Sequence, residues 1–213
     1  MDELELLKKD WKTRETKYPK VSYDDIYKMI LKKSSSIVKW IFIISLLEFV
    51  FWALISFAFK DSESVKRFES LGVDNIILVL SVMGYLVLGY FFYLFYRNYK
   101  RISVTDNAKI LMENILKTRR TVKQYVGFNL GYLVLTSVIF IFIEFKKDPL
   151  LINQVNSAAA DGETFKFYAS FIIITILMLA IVVGLLLGFY WLIYGVLLKR
   201  LNVNYKELKK LEV

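Results

Sequence analysis

The chain has 213 residues, 56% of them hydrophobic, with a mean hydropathy of +0.45 and a formal charge of +9. Its apolar residues are bunched into runs of about 20 or more, which is the length of helix that crosses a bilayer core. There is no cysteine and no histidine, which excludes disulfides, thiolate metal sites, histidine-held haem or iron, cysteine nucleophiles and Ser-His-Asp triads.

Residues 1–36 are polar and of mixed charge. The apolar run begins too late for a secretory signal peptide. Leu4, Leu7 and Trp11 fall on one helical face, Tyr18-Pro19 breaks it, and Ser22 is placed to cap a second helix with Asp24 and Asp25 in its first turn. Tyr23, Ile26, Tyr27 and Ile30 form the apolar side of that helix, which suits either the membrane surface or a cytosolic partner. The first span, Ile37–Phe59, carries Glu48 near its centre, where a carboxyl must be protonated, paired or facing a wet interior. The loop Lys60–Asp74 has three basic and four acidic residues. The second span, Asn75–Tyr96, ends in an aromatic belt followed by Arg97, Lys100 and Arg101.

The central stretch 97–123 reads as a basic helix with eight basic and two acidic residues, capped by Thr105 or Asp106. The third span, Gln124–Phe145, holds Gly127, Asn129 and Gly131, the two glycines forming a small-xxx-small pair. A nearly charge-balanced loop with Pro149 and Asp161-Gly162 leads to the fourth span, Phe167–Leu198. There Ala180, Gly184 and Gly188 recur every fourth residue, which predicts a central helix packed through that stripe, with any remaining small-residue face left for self-association. The tail 199–213 places Leu201, Tyr205, Leu208 and Leu211 on one side and lysines on the other. The chain thus reads as an all-α membrane protein: cytoplasmic amphipathic helices over 1–36, a four-helix transmembrane bundle over 37–198, and an amphipathic tail.

Lysine and arginine concentrate in the N-terminal segment, the central stretch and the tail, which puts both termini in the cytoplasm. Flanking spans and anionic lipid explain the charge, and without a recognition motif no nucleic-acid partner is expected. The two halves also resemble each other. LVLGYFFYLFYRNYKRI (Leu86–Ile102) lies over LLLGFYWLIYGVLLKRL (Leu185–Leu201), and ILKKSSSIVK (Ile30–Lys39) over ILKTRRTVK (Ile115–Lys123) with one gap. Each unit would be an antiparallel hairpin, the two related by an axis along the membrane normal. Aligning Lys39 with Lys123 puts Ser45 level with Asn129 and Glu48 level with Tyr132, with Tyr85 at similar depth. The expected site is therefore a Glu48 carboxyl bonded to Tyr132 or Tyr85, with Asn129 and Ser45 one turn away. Either a packed polar residue or a proton or ligand site fits that cluster.

DELELLKKDW (Asp2–Trp11), the stretch Asp24–Ile41, the central TDNAKILMENILKTRR and the closing LNVNYKELKKLE resemble a group of small four-span inner-membrane proteins of Bacteroidota found near extracytoplasmic-function sigma factors. The resemblance covers nearly the whole chain and implies a multi-pass protein of the bacterial inner membrane with a regulatory, anti-sigma-like role. It carries over no functional residue. Residues 1–36 are shorter than the usual anti-sigma domain, and zinc-binding versions need the absent histidine and cysteine. A label related to carotenoid cleavage, implied for some relatives, would need histidine iron ligands that this chain lacks. No phosphate-cradling glycine loop, paired intramembrane carboxylate or metal cluster is visible, so no catalytic residue, metal or cofactor is expected. The expected function is a non-enzymatic scaffold or regulator that binds a cytoplasmic protein. A small transporter, channel or lipid-binding protein using Glu48 is the alternative, and an intramembrane enzyme comes third.

Overall fold

A computed structural model of the chain describes residues 22–105 and 107–211, together with Leu4, Glu5 and Lys8. The helical face through Leu7 and Trp11, the break at Tyr18-Pro19 and the capping candidate Asp106 lie outside the described residues. The elements run α1 (Tyr23–Ala58), α2 (Glu63–Ser70), α3 (Asp74–Ser103), α4 (Ala108–Lys147), α5 (Pro149–Ala160), α6 (Thr164–Tyr190), a π-helical turn Trp191–Gly195, and α7 (Val196–Leu211), with no strand among the described residues. Four rods, α1, α3, α4 and the continuous α6–α7, are long and apolar enough to cross a membrane.

The helices start where local chemistry allows. Ser22 caps α1 in a reciprocal box: its hydroxyl accepts from the Asp25 N–H at 3.2 Å, and the Asp25 carboxylate accepts from the Ser22 N–H at 3.4 Å. Asp148 caps α5 through the Leu150 N–H at 2.9 Å, with Pro149 at the first helical position. Gly72 and Gly162 take φ of +62° and +71° just past α2 and α5, the left-handed turn that glycine tolerates best.

Three expected boundaries change. The amphipathic segments are not separate helices: 23–36 is continuous with the first span, and the tail is continuous with the fourth, because no proline or strong cap interrupts either. The basic stretch 97–123 is not one helix but the end of α3 and the start of α4. Asn107 caps α4, its side chain accepting from the Lys109 N–H at 2.8 Å. Thr105 is buried instead, donating to the Arg101 carbonyl at 2.5 Å. The segments drawn as loops hold α2 and α5.

Burial is concentrated at the basic end of the rods. Ile30, Val38, Ile41, Phe95, Ile102, Leu111, Ile115, Val122, Leu201 and Leu208 form its core. A ring of polar clasps joins the same helices. Asn204 of α7 donates to Ser34 of α1 at 2.9 Å, Asn98 of α3 to Thr121 of α4 at 3.2 Å, and Arg119 of α4 to Asn202 of α7 at 2.8 Å. Tyr27 of α1 donates to the Thr105 carbonyl in the α3–α4 turn at 2.8 Å. Among apolar neighbours such groups need partners inside the protein, so the ring specifies which helix adjoins which. At the opposite end the Arg67 guanidinium binds the Asp148 carboxylate, and Lys147 donates to the Leu71 and Gly72 carbonyls at 3.1 and 3.3 Å. There α2 is tied to the α4–α5 junction.

The small-residue stripe does not pack. A Cβ added at Gly127, Gly131, Gly184 or Gly188 meets nothing within 4 Å, and Ala180 is exposed. The upper part of α6 is peripheral, not central. Its covered side runs through Phe171, Thr175, Leu179, Val183, Leu186 and Tyr190, where aromatic and branched side chains provide more contact than glycines. Phe145 of α4 meets Phe171 there at 4.7 Å between ring centroids. The glycine that does sit under a close approach is Gly84 on α3, whose added Cβ would lie 3.2 Å from the Tyr132 hydroxyl oxygen.

Leu208→Ala should therefore lower stability by about 2–5 kcal/mol through its core cavity. Gly184→Ala should be neutral or stabilising by up to about 1 kcal/mol from helix propensity. Unfolding in micelles reads both, and destabilisation by Gly184→Ala would contradict the outward-facing stripe. A pH effect follows from the clasp at the opposite end. Burial alone raises the Asp148 carboxyl, but Arg67 and the Leu150 and Leu151 N–H groups outweigh it and hold it below the ordinary carboxylate range. Its contribution is complete above about pH 4, where an unfolded aspartate is ionised, and is lost as pH falls through the lower native value. Hydrogen exchange in α2 should rise at that acid limb, and Asp148→Asn should remove the pH dependence.

Candidate functional site

Glu48 faces inward on α1 and is buried. Three tyrosine hydroxyls from two other rods donate to its carboxyl. Tyr190, at the end of α6, reaches Oε1 at 2.5 Å. Tyr194, on the π-turn, and Tyr125, on α4, reach Oε2 at 3.1 and 3.0 Å. The wide turn Trp191–Gly195 carries Tyr194 four residues after Tyr190, so both rings face α1. Tyr125 is fixed edge-on by Phe91 at 5.6 Å and Phe95 at 5.4 Å, and it touches Tyr194 at 6.0 Å. Glu48 lies nine residues beyond Lys39, and Tyr125 two beyond Lys123. At about 1.5 Å per residue Glu48 lies about 14 Å past Lys39, and Tyr125 about 3 Å past Lys123.

Above the carboxyl a slot of about 610 Å³ runs between α1, α3, α4 and α6. Glu48, Tyr125, Asn129 and Tyr190 make its polar floor, and Trp52, Ala53, Leu88, Leu133, Val182 and Leu185 its apolar walls. Trp52, Tyr85 and Leu185 are 45–71% exposed, so the slot is continuous with the space around the helices. This volume and this mix of apolar wall with a few convergent polar groups suit a small organic ligand.

The expected cluster comes together in part. Asn129 lies in the slot with Glu48. Tyr132 also lines it, but its hydroxyl donates to the Leu80 carbonyl and not to Glu48. Tyr85 is 59% exposed, its ring edge-on to Phe49 at 6.0 Å. Ser45 is buried one turn below and donates to the Phe42 carbonyl at 2.8 Å. The expected pairing of Glu48 with Tyr132 or Tyr85 is therefore wrong. Flanking lysines do not fix relative depth when the rods extend unequally past the membrane, and Glu48 meets a residue seven positions, about two turns, before Tyr132. Tyr125, Tyr190 and Tyr194 were missed. The signal for two of them was a pair of tyrosines four apart, Tyr190 and Tyr194, in the aromatic cluster toward the basic end of the fourth span.

Among the described residues no group of three metal-ligating side chains occurs, and neither ion pair involves Glu48. The site can hold a hydrogen-bond donor or cation against the carboxyl, or accept and release a proton there. Removing one hydroxyl leaves part of the carboxyl unsatisfied, so Tyr125→Phe and Tyr190→Phe should each lose roughly 1–3 kcal/mol of stability. Tyr85→Phe should change little. Thermal unfolding in micelles separates them, and equal losses from Tyr85→Phe and Tyr190→Phe would break the assignment.

No curated protein and no solved structure matches the chain. Residues 24–213 match the domain of unknown function DUF8845, from the start of α1 to the end of the sequence. On that match the chain belongs to the DUF8845 family.

Proposed function

We propose that this is a non-enzymatic membrane protein that holds a small amphiphilic ligand in the slot above Glu48, with an apolar body between the helices and a hydrogen-bond-donating or cationic head on the carboxyl. The observation that carries the reading is a buried carboxyl, Glu48, lining a mostly apolar slot of about 610 Å³ that opens between spans. An intramembrane acid is retained at an energetic disadvantage, and a function at that position accounts for it. In this reading the four spans form two antiparallel hairpins in tandem within the bacterial inner membrane. The basic end and both termini are cytoplasmic, by the charge asymmetry of the flanks.

A second reading, a regulator that captures a cytoplasmic protein, has support from the exposed lysines and arginines of the base and from the resemblance to sigma-factor-linked Bacteroidota proteins. It is weakened by where the amphipathic faces go. Leu201 and Leu208 of the tail and Ile30 of α1 are buried in the chain's own core, so those residues of the amphipathic faces are not open to a partner.

The test is extraction of the full-length protein into native-membrane nanodiscs, with mass spectrometry of the small molecules retained. A stoichiometric species should accompany the wild-type protein and be lost from Glu48→Gln and from a slot-filling Ala53→Phe variant, both still folded by circular dichroism. Equal retention by all three would reject the slot as the binding place. A stoichiometric cytoplasmic protein with no small molecule would move the assignment to the second reading.

A further inference from the structure

A separate groove lies at the basic end on the seam between α1 and α7. It has a volume of about 650 Å³ and is lined by Met29, Lys32, Lys33, Ser36, Ile37, Arg200, Val203 and Asn204. Three cations converge on it from two helices, and among the described residues none of them has a carboxylate partner in an ion pair. The seam beneath is rigid: Asn204 is buried and its amide donates to Ser34, which is fully buried. Ser36 adds a hydroxyl to the rim, while Met29, Ile37 and Val203 supply apolar wall.

Depth decides what such a groove meets. Ser36 is four residues, about 6 Å, on the basic side of Trp40, the half-exposed aromatic that starts the apolar part of α1, and Lys32 is about 12 Å from it. Polar headgroups occupy roughly 5–8 Å on each face of a bilayer core, and lysine and arginine stems extend a further few ångströms toward them. A soluble anion would be met by the cations alone, whereas the apolar wall beside them also suits a glycerol backbone. We propose that the α1–α7 groove is a binding site for the phosphate headgroup of an anionic membrane lipid, with Lys32, Lys33 and Arg200 on the phosphate oxygens and Met29, Ile37 and Val203 against the glycerol region. Basic residues beside a span serve orientation in any membrane protein. Here three that have no ion-pair partner among the described residues share a single concave site whose floor is buried and hydrogen-bonded.

The experiment uses the full chain in nanodiscs of phosphatidylcholine with 30% phosphatidylglycerol, and reads by native mass spectrometry the lipid that stays bound on release from the disc. Phosphatidylglycerol should be retained over phosphatidylcholine. At about fivefold per cation, the triple variant Lys32→Gln, Lys33→Gln, Arg200→Gln should weaken that retention on the order of 100-fold. A control removing three charges outside the groove, Lys109→Gln, Lys209→Gln and Lys210→Gln, should retain lipid like the wild type, and Lys32→Arg with Lys33→Arg should keep most of it. Equal loss in the control would show a diffuse surface field and overturn the site. Displacement of the lipid by millimolar inorganic phosphate would also overturn it, assigning the groove to a soluble anion. Since the slot variants Glu48→Gln and Ala53→Phe leave this groove untouched, its outcome is independent of theirs.

Discussion

A carboxyl group surrounded by hydrocarbon must be given donors by the protein, because no water is there to supply them. Glu48 receives three, from Tyr125, Tyr190 and Tyr194. That requirement brings α1, α4 and the α6–α7 rod to one point and fixes their rotation about their axes. Phe91 and Phe95 of α3 enter the same point by holding Tyr125. All four long rods are thus referred to a single side chain, which a change to glutamine leaves in place but alters chemically.

From this point the molecule divides. Toward the basic end, apolar residues interdigitate and polar residues pair across the α1–α7, α3–α4 and α4–α7 seams, so the rods are held by burial and by direction-specific hydrogen bonds together. Toward the other end, much of each rod is exposed and a slot opens between rods, while the Arg67–Asp148 clasp ties α2 to the α4–α5 junction. An apolar helix gains nothing by leaving lipid for another apolar helix, so the exposed upper halves need no partner to be stable. The filled half supplies order and the slotted half supplies room.

Much of this was legible in the sequence, for physical reasons. Long apolar runs and the Ser22-Asp25 pairing mark helices by local chemistry alone, and Glu48 stands out because a charge-bearing group in such a run is expensive. What was not legible depends on geometry between helices. Depth inferred from Lys39 and Lys123 missed the partners of Glu48, because flanking charges do not fix the relative depth of rods that extend unequally beyond them. The Ala180, Gly184 and Gly188 stripe suggested packing, yet small residues permit close approach without requiring it, and the covered side of α6 is its bulky one. Gly84 carries no pattern at all, and its role emerges only from the Tyr132 ring lying over it.

The unbroken length of α1 has a mechanical consequence. Its 36 residues are pinned at Glu48, with about 38 Å of rod on the basic side and about 15 Å on the slotted side. The long arm is clamped by the core and the short arm borders the slot. Were the clamp released and the rod to pivot at Glu48, an ångström at the far tip of the base would become about 0.4 Å at the end of the short arm, by the ratio of the two arms. The aperture is therefore gauged from below and insulated from jostling there, so a substantial change in its width calls for the pin itself to let go.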